Sequence, residues 1–148
     1  MLWRAYYTEV SDRWYQVHEG LDATDPAELE REIAADTGAY LAPPDGVLLV
    51  ARYAGDPVGT AGVRLGPGPR TAELKRVFLL KRARGRGGAA LLVGAAEDAA
   101  RALGATRIVL DTRSDLVEAR ALYARLGYAE TEPHNQQPYA ERWFGKDL

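Results

Sequence analysis

The stretch FLLKRARGRGGAALL, from Phe78 to Leu92, is the part of this sequence best suited to chemistry. It combines four cations with three glycines: Lys81, Arg82, Arg84 and Arg86, with Gly85, Gly87 and Gly88. Because glycine has no Cβ, backbone N–H groups beside it can approach a phosphate closely. The small residues that follow have helical spacing, and the N-terminus of a helix attracts anions. The stretch therefore predicts a phosphate-binding loop that opens a helix.

One known glycine fingerprint that fits this loop is that of dinucleotide-binding folds. The run from Gly85 to Ala90 satisfies G-x-G-x-x-A, and Asp111 follows at a strand end, where a ribose-binding carboxylate would belong. In that fold, however, the first glycine comes almost directly after its strand. Here residues 80–84 intervene, and too few residues follow the loop to build the second half of the fold. We therefore reject the dinucleotide interpretation, and no Gly-Lys-Ser/Thr supports a triphosphate loop.

The second fingerprint is R-x-x-G-x-A, matched by Arg84-Gly85-Arg86-Gly87-Gly88-Ala89, with Arg82 as an alternative first position. It resembles the pyrophosphate-binding motif of the GNAT superfamily, the acyl-coenzyme A-dependent N-acyltransferases. AELKRVFLLKRARGRGGAALL resembles the family's strand-loop-helix, and IVLDT followed by EARALYARLGY resembles its next strand and helix. The resemblance covers roughly residues 46 to 130 and implies that acetyl-CoA is the acyl donor. It places Phe78, Leu79 and Leu80 along the pantetheine arm, and the loop from Arg84 to Ala89 at the pyrophosphate.

The same resemblance assigns catalytic roles. Tyr123 matches a tyrosine that the family places on this helix, as general acid toward the leaving thiolate. Its apolar stripe leaves open that it is a core aromatic. Glu73, in AELKR, is expected to hold the amine or relay its proton through water; the alternative is an exposed carboxylate paired with Arg76. The N–H of Leu79 is the expected donor to the thioester carbonyl.

Several residues leave the function less sharply defined. The sequence has no cysteine, which favours direct attack in a ternary complex over a covalent acyl-enzyme. Many relatives carry an asparagine where this chain has Leu116, so one cofactor contact is missing or replaced. That difference keeps open a non-catalytic acyl-CoA-binding sensor or assembly domain. We expect Asp111 to be structural, and His134 and Asn135 to lie in a loop near the substrate cleft.

Charge along the chain points to the acceptor. Residues 8–45 contain ten acidic and two basic side chains, a local charge of -8, although the formal net charge of the whole chain is only -2. We therefore expect the acceptor to be a primary amine on a small, cationic molecule; a protein amine stays open. The basic cluster of the loop is too small a footprint for duplex nucleic acid.

The predicted elements form an α/β (α+β) fold with a mixed, twisted central sheet of about seven strands, flanked by about four helices. LWRAYYTEV is predicted as the first strand and TDPAELEREIAADTG as a helix capped by Asp25. A hairpin is predicted at Gly55-Asp56, and TAELKRVFL is the fourth strand. Asp115 and Glu118 are predicted to form a capping box for LVEARALYARL.

The chain's 148 residues predict a single N-acetyltransferase domain over residues 1–148. Its two histidines, His18 and His134, show no metal-ligand spacing, so no metal is expected. The sequence shows neither a membrane span nor a signal peptide, which predicts a cytoplasmic protein without membrane partners. A homodimer stays open, because relatives are often homodimers.

Overall fold

The computed structural model describes residues 1–148, which form two compact units, residues 1–39 and residues 40–148. The first unit contains helices α1 (Leu2–His18) and α2 (Pro26–Ala35). The second contains β1 (Gly46–Tyr53), β2 (Asp56–Leu65), β3 (Thr71–Leu79), α3 (Gly88–Ala102), β4 (Arg107–Thr112), α4 (Val117–Arg125), β5 (Ala129–Thr131) and β6 (Arg142–Asp147). No helix of the structure has the length and apolar character needed to cross a membrane.

The predicted first strand is wrong, because LWRAYYTEV lies within α1. Its aromatic residues have high β-propensity, but Trp3, Tyr6 and Tyr7 are also spaced three and four residues apart, as on one face of a helix. Contacts with the end of α2 favour the helix. The Trp3 indole donates to the carbonyl of Asp36 at 2.9 Å, and the Tyr7 hydroxyl donates to the Asp36 carboxylate at 2.6 Å. These contacts outweigh local propensity, which is a weak guide when packing opposes it.

Helix α2 begins as predicted. Asp25 precedes Pro26, and its Oδ1 accepts hydrogen bonds from the N–H groups of Ala27 and Glu28 at 3.0 and 3.1 Å. Two acidic side chains of α2 contact α1: Glu30 pairs with Arg4, and Glu32 accepts from the Ser11 hydroxyl at 2.9 Å. Two acidic side chains of the first unit, Glu30 and Glu32, therefore link its two helices.

The second unit contains the mixed sheet that the sequence predicts. Its strand order is β1-β2-β3-β4-β6-β5, and every neighbouring pair is antiparallel except β3 with β4. The predicted hairpin is confirmed, with its turn one residue earlier than the expected Gly55-Asp56. Ala54 and Gly55 connect β1 to β2, both with positive φ, as a two-residue turn requires. The sheet has six strands rather than about seven, because the segment expected to form the first strand is helical.

The pairing between β3 and β4 is short, and this sets up the site. Only Thr71–Glu73 pair with Arg107–Val109, so the carboxyl-terminal halves of the two strands do not pair with each other. On its other edge β3 carries a bulge opposite β2, where Arg76 has a φ of 54° and its carbonyl accepts from the Thr60 hydroxyl at 2.8 Å. A bulge bends and twists its strand, which helps β3 diverge from β4.

Helices α3 and α4 cover one face of the sheet and enclose the hydrophobic core with it. The core includes Ala72 and Leu74 of β3, Tyr123 of α4 and Phe144 of β6. Because side chains alternate along a strand, Glu73 lies on the opposite face of the sheet. We call the side of the sheet that α3 and α4 cover the helix face, and the side on which Glu73 lies the open-strand face.

The start of α4 differs from the prediction. Residue Leu116 is the N-cap and provides no side-chain hydrogen bond. The predicted capping box is wrong because Asp115 is bound by Arg113 instead, with two nitrogen–oxygen distances of 2.9 Å. Gly104 and Gly127 follow α3 and α4 with φ of 91° and 90°, the left-handed conformation in which helices commonly end.

Candidate active site

The glycine loop leaves backbone donors available at the start of α3. Gly85 and Gly87 have φ of 76° and 77°, and a Cβ built on either would meet no protein atom within 4 Å. Gly87 is the N-cap and offers no side chain. The first intrahelical bond runs from the N–H of Leu91 to the carbonyl of Gly87 at 3.1 Å. The N–H groups of residues 88–90 therefore have no acceptor within the helix, and the open space beside the glycines fits an anion such as a pyrophosphate.

Two of the predicted phosphate ligands contact other parts of the protein. The Nε of Arg84 donates to the carbonyl of Leu79 at 2.7 Å, and its guanidinium lies 5.8 Å from the Phe78 ring centroid. The Nη1 of Arg86 donates to the Tyr53 hydroxyl at 2.7 Å, and its guanidinium lies 5.1 Å from that ring centroid. Arg84 thus connects the loop to the end of β3, and Arg86 connects it to the end of β1.

Leu79, the predicted oxyanion donor, is held between two glycines. A Cβ on Gly59 would lie 2.8 Å from one Leu79 methyl, and a Cβ on Gly88 would lie 3.2 Å from the other. The same leucine lines a cavity of about 420 Å³ beside the loop. A Cβ on Gly59 would also lie 2.6 Å from the Phe78 carbonyl oxygen. The two glycines therefore let the end of β3 pack closely against β2 and α3.

The backbone N–H of Leu79 points away from β2. The next residue, Leu80, donates its N–H to the carbonyl of Val58 at 2.8 Å. Successive N–H groups of an antiparallel strand point to opposite edges, so that of Leu79 points toward the edge where β4 has stopped pairing. This is the orientation that a donor to a thioester carbonyl in the gap between β3 and β4 needs.

A polar cluster of five side chains lies on the open-strand face. Its members come from β2, β3, β4 and the loop before β6: Arg64, Glu73, Lys75, Asp111 and Asn135. The side chain of Glu73 is 3% exposed. Its Oε1 accepts from Arg64 Nε and Nη2 at 2.9 and 2.8 Å and lies 3.4 Å from Lys75 Nζ. Glu73 is therefore buried and paired with Arg64 and Lys75 rather than exposed and paired with Arg76.

Asn135 joins the two carboxylates of the polar cluster. Its Nδ2 lies 2.7 Å from Asp111 Oδ2 and 3.3 Å from Glu73 Oε2. Trp143 settles the orientation of the amide, because an indole N–H can only donate and lies 3.0 Å from Asn135 Oδ1. Lys75 Nζ also reaches Asp111 Oδ2, at 3.5 Å. Asp111, expected to be structural, is therefore linked to the predicted site residue Glu73 through Asn135 and Lys75.

The residue before Asn135 also contacts β4. The Nε2 of His134 lies 3.1 Å from the carbonyl of Leu110, so Nε2 carries the proton and donates it. The Nδ1 of the same ring is buried and has no hydrogen-bond partner. The segment of residues 134–135 therefore rests on the carboxyl-terminal end of β4, as expected for a loop near the substrate cleft.

Tyr123, the predicted acid, lies in α4 on the helix face. It is 6% exposed, 5.7 Å from Tyr128 and 6.2 Å from Phe144 between ring centroids. The neighbouring tyrosine is a poor acid. Burial, and then the carboxylate of Glu97 that accepts a hydrogen bond from its hydroxyl at 3.0 Å, raise the pKa of Tyr128 well above its usual range. The hydroxyl of Tyr128 is therefore bound to Glu97.

The structure brings some predicted residues together and keeps others apart. The loop, Leu79 and the gap between β3 and β4 are adjacent, whereas Tyr123 and Glu73 lie on opposite faces of the sheet. Sequence reasoning missed Arg64, Lys75 and Trp143 as partners of the site. Alternation along β3 could have identified Lys75, which is two residues from Glu73 on the same face. Nothing local pointed to the other two.

Comparison with known proteins identifies the family. Residues 3–128 match the model of the acetyltransferase (GNAT) family. The chain is 34% identical over 120 residues to an uncharacterized N-acetyltransferase of Schizosaccharomyces pombe, covering 80% of this chain and 72% of that protein. It is also 34% identical over 108 residues to the IAA acetyltransferase of Azospirillum brasilense, covering 73% and 69%.

A solved structure extends the agreement to the fold. The PaiA N-acetyltransferase of Thermoplasma acidophilum, in complex with coenzyme A, superposes with a TM-score of 0.65 at 15% sequence identity. The match covers 98% of this chain and 92% of that one. With the family match over most of its length and the relatives above, the chain belongs to the GNAT family of acetyltransferases.

Proposed function

We propose that this protein transfers an acetyl group from acetyl-CoA to a primary amine of a small, cationic molecule by direct attack in a ternary complex. The observation that carries the proposal is the gap between β3 and β4, which opens beside the glycine loop. An acyl donor whose pyrophosphate lies at residues 87–89 can extend its pantetheine arm along residues 78–80. Its thioester carbonyl then meets the N–H of Leu79.

The remaining groups supply what acyl transfer needs. The amine nitrogen bonds to the thioester carbon, the carbon–sulfur bond breaks, and the thiolate takes a proton from the Tyr123 hydroxyl. The proton that the nitrogen releases as it becomes an amide restores that hydroxyl. The N–H of Leu79 stabilises the negative charge that develops on the carbonyl oxygen. Tyr128 is the poorer proton donor, because its buried hydroxyl donates a hydrogen bond to the Glu97 carboxylate. The polar cluster lies on the open-strand face, where an acceptor would approach from the side opposite to the core.

The cationic character of the acceptor rests on charge. The acidic segment of residues 8–45 would raise the local concentration of a cation. Arg4, which lies outside the segment, offsets one negative charge by pairing with Glu30. Glu32 bonds to an uncharged hydroxyl, so most of the segment's net charge remains. Coenzyme A carries its own phosphates, so this charge offers it no attraction.

A release assay for the free thiol tests the proposal. The protein is incubated with acetyl-CoA and each of four primary amines, n-butylamine, spermidine, tyramine and L-lysine, and free coenzyme A is followed with a thiol reagent. We expect release that depends on the amine and is greatest for the polycation spermidine. Mass spectrometry of the product should show one added acetyl group on nitrogen.

One observation favours a second candidate, an acyl-CoA-binding domain without catalysis. Leu116 provides no side-chain hydrogen bond at the start of α4, where many relatives carry an asparagine. Calorimetric binding of acetyl-CoA together with no thiol release for any amine, including a lysine-rich peptide, would favour this candidate over acetyl transfer. Tight binding of NAD in the same experiment would contradict both.

A further inference from the structure

Acyl transfer requires that an ammonium lose a proton, and the polar cluster contains two carboxylates that could take it. Glu73 is the weaker of the two candidates. Its side chain is 3% exposed, Oε1 already contacts Arg64 and Lys75, and Oε2 contacts Asn135. A proton delivered to this carboxylate would have no direct route to solvent.

Asp111 differs from Glu73 in two respects. Its side chain is 16% exposed. Both of its hydrogen-bonded contacts, with Asn135 and Lys75, use Oδ2, so Oδ1 accepts no hydrogen bond from the protein. The partners on Oδ2 hold the carboxylate in one orientation and leave Oδ1 available to a substrate or a water molecule.

Asp111 also lies closer than Glu73 to the expected thioester. Glu73 is level with Val109 in the parallel pair of β3 and β4, and Asp111 is two residues further along β4. Two residues correspond to about 6.6 Å toward the end of β3 at which Leu79 lies. Asp111 contacts Lys75 across the gap. From Lys75 to Leu79, β3 contains one bulge residue and spans about 10 Å. Along the strands, an amine at the thioester would therefore lie nearer to Asp111 than to Glu73, which makes Asp111 the better placed of the two carboxylates.

We propose that Asp111 is the carboxylate that receives the proton of the acceptor ammonium, at Oδ1 and through one water molecule, while Glu73 is a positioning residue. The proton leaves the nitrogen, passes through the water to Asp111 and is then released to solvent, which leaves a neutral amine with a free lone pair. Lys75 and Asn135 hold Oδ2 during this step, and Arg64 neutralises Glu73 behind them. This inference rests on the proposed acetyl transfer and names a residue that carries one of its steps.

The charged groups around Asp111 favour the same step. Lys75 faces it from β3, with Glu73 and Arg64 behind, and His134 is bonded to the neighbouring Leu110 carbonyl. Glu73 and Asp111 carry two negative charges, and Arg64 and Lys75 carry two positive charges. An ammonium that enters this neutral cluster therefore meets the Lys75 ammonium, and repulsion between like charges favours its loss of a proton.

The test compares Asp111→Asn with Asp98→Asn, an exposed aspartate on α3 that pairs with Arg101, as the matched control. With the best amine of the thiol-release panel, we expect the acceptor kcat/KM of Asp111→Asn to fall at least tenfold at pH 7. The loss should shrink toward pH 10, where about half of a free alkyl amine is already deprotonated, since its pKa in water is about 10. Asp98→Asn should match the wild type throughout, and acetyl-CoA affinity should be unchanged in both.

A merely structural Asp111 would give a loss of constant size across the pH range, or a lowered melting temperature, and either result would overturn the proposal. Full activity of Asp111→Asn at pH 7 would also overturn it. A second measurement covers failure of acetyl transfer itself: the ¹³C carboxyl signal of Asp111, assigned by its loss in Asp111→Asn, is followed in protein saturated with coenzyme A as n-butylamine is added. A shift without thiol release would support amine binding at Asp111 and contradict catalysis, whereas no shift and no release would overturn both.

Discussion

The two faces of the sheet are built in different ways. On the helix face, the glycine loop presents backbone N–H groups, and the neighbouring side chains are packed in an apolar core. On the open-strand face, the polar cluster depends on side-chain hydrogen bonds and ion pairs between β2, β3, β4 and the loop before β6. A backbone site recognises a group that every acyl-CoA shares, whereas a side-chain site can differ from one acceptor to another. The contrast predicts that substitutions on the helix face affect the acyl donor or the chemistry, and those on the open-strand face affect the acceptor.

The largest expected effect is that of Tyr123→Phe on the helix face. The ring stays, so its packing against Tyr128 and Phe144 is kept, and only the hydroxyl is lost. If that hydroxyl protonates the thiolate, turnover falls by roughly 10²–10⁴ with acetyl-CoA affinity unchanged. The control is Tyr128→Phe, which loses a hydrogen bond to Glu97 and should cost about 1 kcal/mol of stability while turnover stays within about threefold. Equal turnover in the two variants would mean that Tyr123 is only a core aromatic residue and not the general acid.

The next effect is that of Gly87→Val, which tests the backbone character of the loop. Gly87 has a φ of 77° and open space on its Cβ side, so a valine there is strained and also crowds the bound pyrophosphate. We expect acetyl-CoA affinity by calorimetry to fall at least tenfold, about 1.4 kcal/mol. Gly104→Val is matched, with a φ of 91° and open space after the same helix, and should be destabilised without losing affinity. A similar loss in both variants would mean that strain, not crowding of the ligand, is responsible.

The smallest effect is expected for Trp143→Phe on the open-strand face. This change removes the indole N–H that orients Asn135, and so allows the amide to rotate its carbonyl toward Asp111. One neutral hydrogen bond contributes about 1 kcal/mol, so the acceptor kcat/KM should fall about fivefold, with acetyl-CoA affinity unchanged. A loss of acetyl-CoA affinity instead would show that the two faces are not separate in function.

The parts of the molecule that the sequence predicted well are those with local signals. The hairpin between β1 and β2 depends on its turn residues and lies within one residue of its predicted position, and Asp25 caps a helix that begins at the next residue. The N-terminal segment was predicted wrongly because its helix is stabilised by contacts between Trp3 or Tyr7 and Asp36, more than twenty-five residues away. Local β-propensity carries no information about such partners.

The candidate site divides in the same way. The loop and Leu79 follow from a contiguous motif, so their residues could be named from the sequence. The polar cluster joins Arg64 to Glu73 and Asn135 to Asp111 across three strands and a loop, at separations of 9 and 24 residues. From the sequence, the strand-end position of Asp111 indicates only a structural role. Only the register of β3 with β4 shows that it lies across the gap from Lys75.

The central claim is that the glycine loop and the end of β3 bind acetyl-CoA, and amide NMR measures this most directly. Acetyl-CoA is added to ¹⁵N-labelled protein, and NAD is added to a second sample under the same conditions. The account predicts saturable shifts of the amide signals of Leu79, Gly87, Gly88 and Ala89 with acetyl-CoA, and none with NAD. Shifts that leave these four amides unmoved, or an equal response to NAD, would contradict it.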